Sequence, residues 1–288
     1  MNRLIVFTLA ALSTTLSLWA QETMEQDMFE SMKDDDKAVV VAVHKDAQSG
    51  IGQQGIDRLT LKLREIYPNC DYREACTTQG AMPTAPDPDE LFAQLEKDGY
   101  THVLVQPSDI TNDLDVQYLR HMVESAKGKF KHLRMGEPLL SDVADYQEVA
   151  DLVIKTFGTM PKEVSVLVCP SDDEADASYM MLEYLLRDKS DGNWLLATTN
   201  GIPTIDHLIT ALKTGKIKKV HLVPFNGEVN GGMHGEMTRK LQQAGYKVTA
   251  ETRTLMEQEG IIQLFEQHVR HAEKFRRLTP KEQKITTR

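Results

Sequence analysis

From Lys37 onward the chain alternates short apolar, β-branched runs with stretches whose apolar residues recur every three or four positions. Residues 39–43, 103–105, 133–135, 164–168, 194–197, 220–223 and 248–252 are of the first kind and read as buried strands. Between them, residues 55–67 carry Ile56, Leu59, Leu63 and Ile66 at helical spacing. Residues 90–98, 116–125, 145–157, 175–186, 204–212, 234–244 and 260–275 read as further helices. Asp89 is placed to cap the first of these and Gly99 to stop it; Pro203 stands just before another. The proline-rich residues 82–88 read as a loop. Strands alternating with helices predict parallel sheets covered on both faces.

The pattern runs twice. Residues 39–43 end at His44, and residues 164–168 end at Cys169-Pro170-Ser171, followed by Asp172, Asp173 and Glu174. Residues 99–107 and 217–224 occupy matching later places, each a strand ending in proline. The interval from Val39 to Val164 is close to that from Val103 to Val220, which argues for an internal duplication. The predicted fold is therefore α/β, two similar doubly wound parallel-sheet halves, residues 37–158 and 159–276, facing a central cleft. Such sheets place ligands beyond the carboxyl ends of their strands, so the residues at those ends carry the functional question.

Composition narrows the answer. The 288 residues include 43 Asp and Glu against 33 Lys and Arg, a formal charge of −10, which speaks against a nucleic-acid partner. Lys216, Lys218 and Lys219 read as solvated surface. Residues 1–20 have the shape of a secretory signal: Arg3, an apolar stretch over 4–18, then Trp19-Ala20. A retained anchor is the other reading of that stretch. Removal of the signal would leave no integral membrane span and an exported, periplasmic protein. Residues 21–36 read as an exposed acidic leader and 277–288 as a polar tail. Export would put Cys70, Cys76 and Cys169 in an oxidising compartment; pairing of Cys70 with Cys76 stays open. No zinc-type Cys/His spacing is present, no organic cofactor is expected, and a homo-oligomer is left open.

Four pieces of the chain carry a resemblance. They are residues 99–106 (Gly-Tyr-Thr-His-Val-Leu-Val-Gln), Gly136-Glu-Pro-Leu-Leu-Ser141 with Asp145-Tyr146, Pro203-Thr-Ile-Asp206, and Val220-His-Leu-Val-Pro224. In order and spacing the chain resembles the anaerobic cobalt chelatases that insert cobalt into sirohydrochlorin, over about residues 37–275. The resemblance implies a tetrapyrrole macrocycle held in the cleft and a divalent metal, cobalt or iron, as substrate. The alternative that it leaves is an exported haem-, tetrapyrrole- or metal-binding protein without catalysis.

The ligands that the resemblance implies are altered here. Cys169-Pro170-Ser171 stands where the family has a histidine between glycines, and the second histidine position falls on Gly232, two residues before His234. The family glutamate falls on Asp115, and a further glutamate on Asn200. His234, Asp115 and His44 are the candidate metal ligands, with His234 and Asp115 as catalytic candidates. Imidazoles suit such metals, and a carboxylate can add charge or accept pyrrole protons. His44, Asp109 and Asn200 are the candidate macrocycle contacts. Each has a plainer reading: a hydrogen-bonded histidine for His44, a helix cap for Asp115, an exposed first-turn residue for His234. His102 and His221 read as strand packing. His268 and His271, three apart on one helix face, fit either a metal clip or a solvated surface.

Overall fold

The computed structural model describes residues 23–25, 27–45, 51–78, 82, 84–160, 162–170, 176–199, 201–226 and 232–277. After a short strand β1 (Thr23–Glu25), the first half runs β2 (Ala38–His44), α1 (Gly52–Ile66), β3 (Asp71–Cys76), α2 (Pro88–Lys97), β4 (His102–Pro107), α3 (Leu114–Ala126), β5 (His132–Met135) and α4 (Val143–Phe157). The second half runs β6 (Val164–Cys169), α5 (Asp176–Lys189), β7 (Trp194–Thr198), α6 (Ile205–Thr214), β8 (Lys219–Pro224), α7 (Gly232–Gln243), β9 (Lys247–Ala250) and α8 (Glu259–Lys274), and ends in β10 (Phe275–Arg277). All the strand pairs of the two main sheets are parallel, in the orders β3-β2-β4-β5 and β7-β6-β8-β9.

The duplication extends to individual hydrogen bonds. Val39 faces Val103 across β2 and β4, as Val164 faces Val220 across β6 and β8. Just past the prolines, Ser108 N donates to Val43 O at 2.9 Å and Phe225 N to Val168 O at 2.9 Å. Ser108 and Phe225 are therefore structural counterparts, as are His44 and Cys169.

Side-chain alternation divides each sheet between two cores. Val39, Val41 and Val43 of β2 pack outward with α2 and α3, and Val164, Val166 and Val168 of β6 pack outward in the second half. Val40, Ala42, Leu104, Leu167, Cys169, Leu196, Val223 and Phe225 face inward. They share one core with apolar residues of α1, α4, α5 and α8. At about 1.5–3 kcal/mol for each fully buried Val, Leu, Ile or Phe, this common core ties the two halves into one body.

The joint between them is built on the motif Gly136–Ser141. Gly136 sits so close to Gln106 that an added Cβ would lie 2.1 Å from Gln106 Oε1 and would push that buried side chain aside. Asp145 caps α4 together with Asp142 and accepts hydrogen bonds from Ser141 N, Ser141 Oγ and Asp142 N. Its other oxygen lies 3.0 Å from His268 Nε2 of α8. Arg134 of β5 donates to the carbonyls of Ala272 and Glu273, which are near the end of the same helix. Helix α8 thus packs on β4 and β5 of the first sheet.

Several expectations are corrected. Residues 21–36 are not an exposed leader as a whole. Met28 is fully buried, its N–H donates to Glu273 O, and Phe29 packs on Tyr67. β1 pairs antiparallel with β10. Strand β3 has no counterpart in the predicted elements. As an edge strand of sequence DYREAC, it exposes its first part to solvent and lacks an apolar run. Asp87, not Asp89, caps α2. His268 and His271 do not form a metal clip: His268 is ion-paired to Asp145, and His271 stacks on Phe275 at 4.6 Å. Among the described residues no disulfide joins Cys70, Cys76 or Cys169, and no helix is long and apolar enough to cross a membrane.

Candidate metal centre at the strand ends

His44 is the last residue of β2 and lies on its inward face, one step beyond Ala42. It is completely buried. Its Nδ1 lies 2.8 Å from Ser108 Oγ, just past the end of β4. Its Nε2 is buried without a hydrogen-bond partner. Burial pulls the imidazole pKa down to about 4, against a small upward push from Glu74. The ring is neutral at physiological pH. In the tautomer with the proton on Nδ1, Ser108 accepts that proton's hydrogen bond and the Nε2 lone pair is bare. That is the state in which an imidazole ligates a transition metal.

Carboxylates gather around the next residue, Lys45. Lys45 Nζ is 2.7 Å from Asp115 Oδ2 and 3.6 Å from Asp113 Oδ2. Asp113 is the cap of α3, accepting from Val116 N. Asp115 is therefore no cap; it is an ion-pair partner of the residue following His44. Asp109 is 5% exposed. Burial, and then the charges of Asp113 and Asp115, raise its carboxyl well above the usual range, with Lys45 opposing. Cys76, the register partner of His44 on β3, has its Sγ 3.0 Å from Lys45 O.

The equivalent corner of the second half differs in chemistry. Cys169 and Phe225, the counterparts of His44 and Ser108, are both fully buried. Burial alone drives the Cys169 thiol far above its ordinary range, so it stays protonated. A neutral thiol against a phenyl ring offers a metal much less than a neutral imidazole on a hydroxyl.

Of the predicted set, the structure places His44, Asp109 and Asp115 past the carboxyl ends of β2 and β4, with both carboxylates near Lys45, but among the described residues no three His, Cys, Asp or Glu side chains converge on one metal position. His234 falls in the first turn of α7 by its backbone, and its side chain is outside the described residues, as is Asn200. Ser108, Lys45 and Asp113 were missed. Only the strand-ending proline before Ser108 marked that loop in the sequence. A cavity of about 460 Å³ lined by Arg64, Tyr67, Cys70 and Tyr72 lies by the beginning of β3, away from these strand ends.

Comparison with known proteins agrees with the fold. A family model described as Cobalt chelatase (CbiK) matches residues 37–274. The chain is 26% identical over 240 residues to sirohydrochlorin cobaltochelatase CbiKC of Nitratidesulfovibrio vulgaris (strain Hildenborough), covering 75% of this chain and 85% of the relative. Among solved structures, SirB from Bacillus subtilis with Fe³⁺ superposes with a TM-score of 0.57 at 15% identity, over 82% of this chain and 96% of its own. DR2241 from Deinococcus radiodurans, a multi-domain protein with structural similarity to chelatases, gives 0.53 at 14% identity, over 81% of this chain and 55% of its own. With its duplicated sheets and a match from Lys37 to Lys274, the chain belongs to the cobalt chelatase (CbiK) family.

Proposed function

We propose that the protein inserts a divalent metal, cobalt or iron, into sirohydrochlorin or a close relative held between the two halves, with His44 as the imidazole that presents the metal. The observation that carries this reading is the bare, buried Nε2 of a neutral His44 at the carboxyl end of β2. Insertion exchanges one M²⁺ for two pyrrole N–H protons. His44 Nε2 would hold the metal beside the macrocycle, and Ser108 would keep the ring oriented. The Asp115 carboxylate, paired with Lys45, would take up one released proton and solvent water the other. This reading moves the metal-handling imidazole to the first half, because the second offers Cys169 instead.

That apolar corner of Cys169 and Phe225 also favours a second reading, in which the cleft holds haem or another macrocycle without inserting metal. The apolar stretch over residues 4–18 supports an exported, periplasmic setting for either. The test is to mix the protein with sirohydrochlorin and Co²⁺, then with Fe²⁺, and follow the absorption bands. Insertion well above the spontaneous rate, lost in His44→Ala, is the expected result. Haem saturation with insertion at only the spontaneous rate would establish the second reading instead. Insertion undiminished by His44→Ala would overturn the role given to that residue.

A further inference from the structure

Two histidines lie side by side at the opposite end of the first sheet from His44. His102 opens β4, His132 opens β5, and the two are register partners on adjacent parallel strands. Their ring centroids are 4.8 Å apart and tilted by 32°. His102 is 1% exposed, and His132 is half-buried.

The Nδ1 of His102 is 2.9 Å from Thr101 Oγ1. The Thr101 hydroxyl donates to the Lys37 carbonyl at 3.2 Å and accepts from Lys37 N at 3.2 Å. Its remaining lone pair can accept an Nδ1–H from His102, and in that tautomer Nε2 is deprotonated. That Nε2 is buried and has no hydrogen-bond partner. An unsatisfied buried acceptor is destabilising, and a cation at Nε2 would satisfy it.

We propose that His102 and His132 form a two-imidazole site for a borderline divalent cation, Cu²⁺, Ni²⁺ or Zn²⁺, at the amino-terminal edge of the first sheet. Thr101 supplies the oriented outer partner that such a ligand uses. Among the described residues no three His, Cys, Asp or Glu side chains converge on one point, so water completes the coordination and affinity follows the Irving–Williams order. Lys131 and Arg134 add positive charge nearby and hold the affinity down. The site belongs to the first half alone. The register pair opening β8 and β9 in the second half is Lys219 and Lys247, which would repel a cation.

The test is calorimetric titration of protein without a histidine tag, with the chlorides of Cu²⁺, Ni²⁺, Zn²⁺ and Mg²⁺. It is run in the His44→Asn background, so that the strand-end centre does not contribute. One equivalent of Cu²⁺ is expected to remain, with Ni²⁺ and Zn²⁺ weaker and Mg²⁺ unbound. His132→Ala, at a half-buried position, should weaken Cu²⁺ binding by roughly tenfold or more and remove nitrogen hyperfine structure from its electron paramagnetic resonance spectrum. His102→Gln should do the same where it folds. Loss of all Cu²⁺ binding in His44→Asn, or affinity and spectrum unchanged by His132→Ala, would overturn the site. Neither result bears on metal insertion in the cleft.

Discussion

The low pKa of His44 has a measurable consequence for stability. An exposed histidine titrates near 6.5, whereas buried His44 titrates at about 4. As the pH falls below 6.5, the unfolded chain takes up a proton that the native protein refuses, so stability declines until the native ring also protonates near 4. Above 6.5 both states are neutral and the residue contributes no slope. At 1.36 kcal/mol per pKa unit, the loss across the window is about 3 kcal/mol. His44→Asn removes the titration while keeping an N–H for Ser108. Urea unfolding of both proteins by far-ultraviolet circular dichroism, from about pH 7 down to about pH 4, isolates the effect, because every other group cancels in the difference. The wild type should lose about 3 kcal/mol relative to the variant across that range. A difference that does not change with pH would mean that His44 titrates like a solvated histidine, and the argument for a bare, neutral Nε2 would fail. Protons and metals compete for this nitrogen, so metal binding at His44 should stay insensitive to acid until the pH approaches 4.

The joint between the halves supplies a second test. Burial pulls the His268 pKa down, but the hydrogen bond and charge of Asp145 outweigh it and the net shift is upward; Asp145 is shifted down despite its own burial. The histidine's share of the stability is complete below about 6.5 and is lost as the pH rises through its native value. The carboxylate's share is complete above about 3.9 and is lost as the pH falls through its native value. Asp145→Asn should cost about 3–5 kcal/mol at neutral pH, read by urea unfolding, and a cost under 1 kcal/mol would deny the pair its role. Met28→Ala should cost about 2–5 kcal/mol on the same assay, whereas a neutral outcome would mean that the segment before Lys37 is not part of the core.

What the sequence revealed depended on where apolar contrast was strong. β2, β4, β6 and β8 are the inner strands of their sheets, buried on both faces, and their valine-rich runs are unambiguous. β3 carries Asp71, Arg73 and Glu74 at an edge and gave no such run. Met28 is a single anchor within an acidic stretch, invisible to any periodicity. At the site, His44 was legible as a strand-end histidine. Its pairing with Ser108 was not, since it spans 64 positions and depends on the register of β2 with β4. Asp115 was singled out from resemblance, but its partner Lys45 emerges only when α3 is placed beside the end of β2. The specific motif Gly136–Ser141 with Asp145 forms a structural joint with Gln106 and His268, and those contacts are what the sequence could not show.

Helix α8 follows the whole second sheet in the chain, yet it covers the first sheet. A ribosome that has released only the first half leaves Val40, Leu104 and the inward side of α1 without their lid. The amino-terminal half therefore waits for residues made after the whole second sheet, and contacts of such long sequence separation form slowly. A chain cut between α4 and β6 should be sticky rather than a stable miniature chelatase, and the partly made protein is a natural client for a holding chaperone.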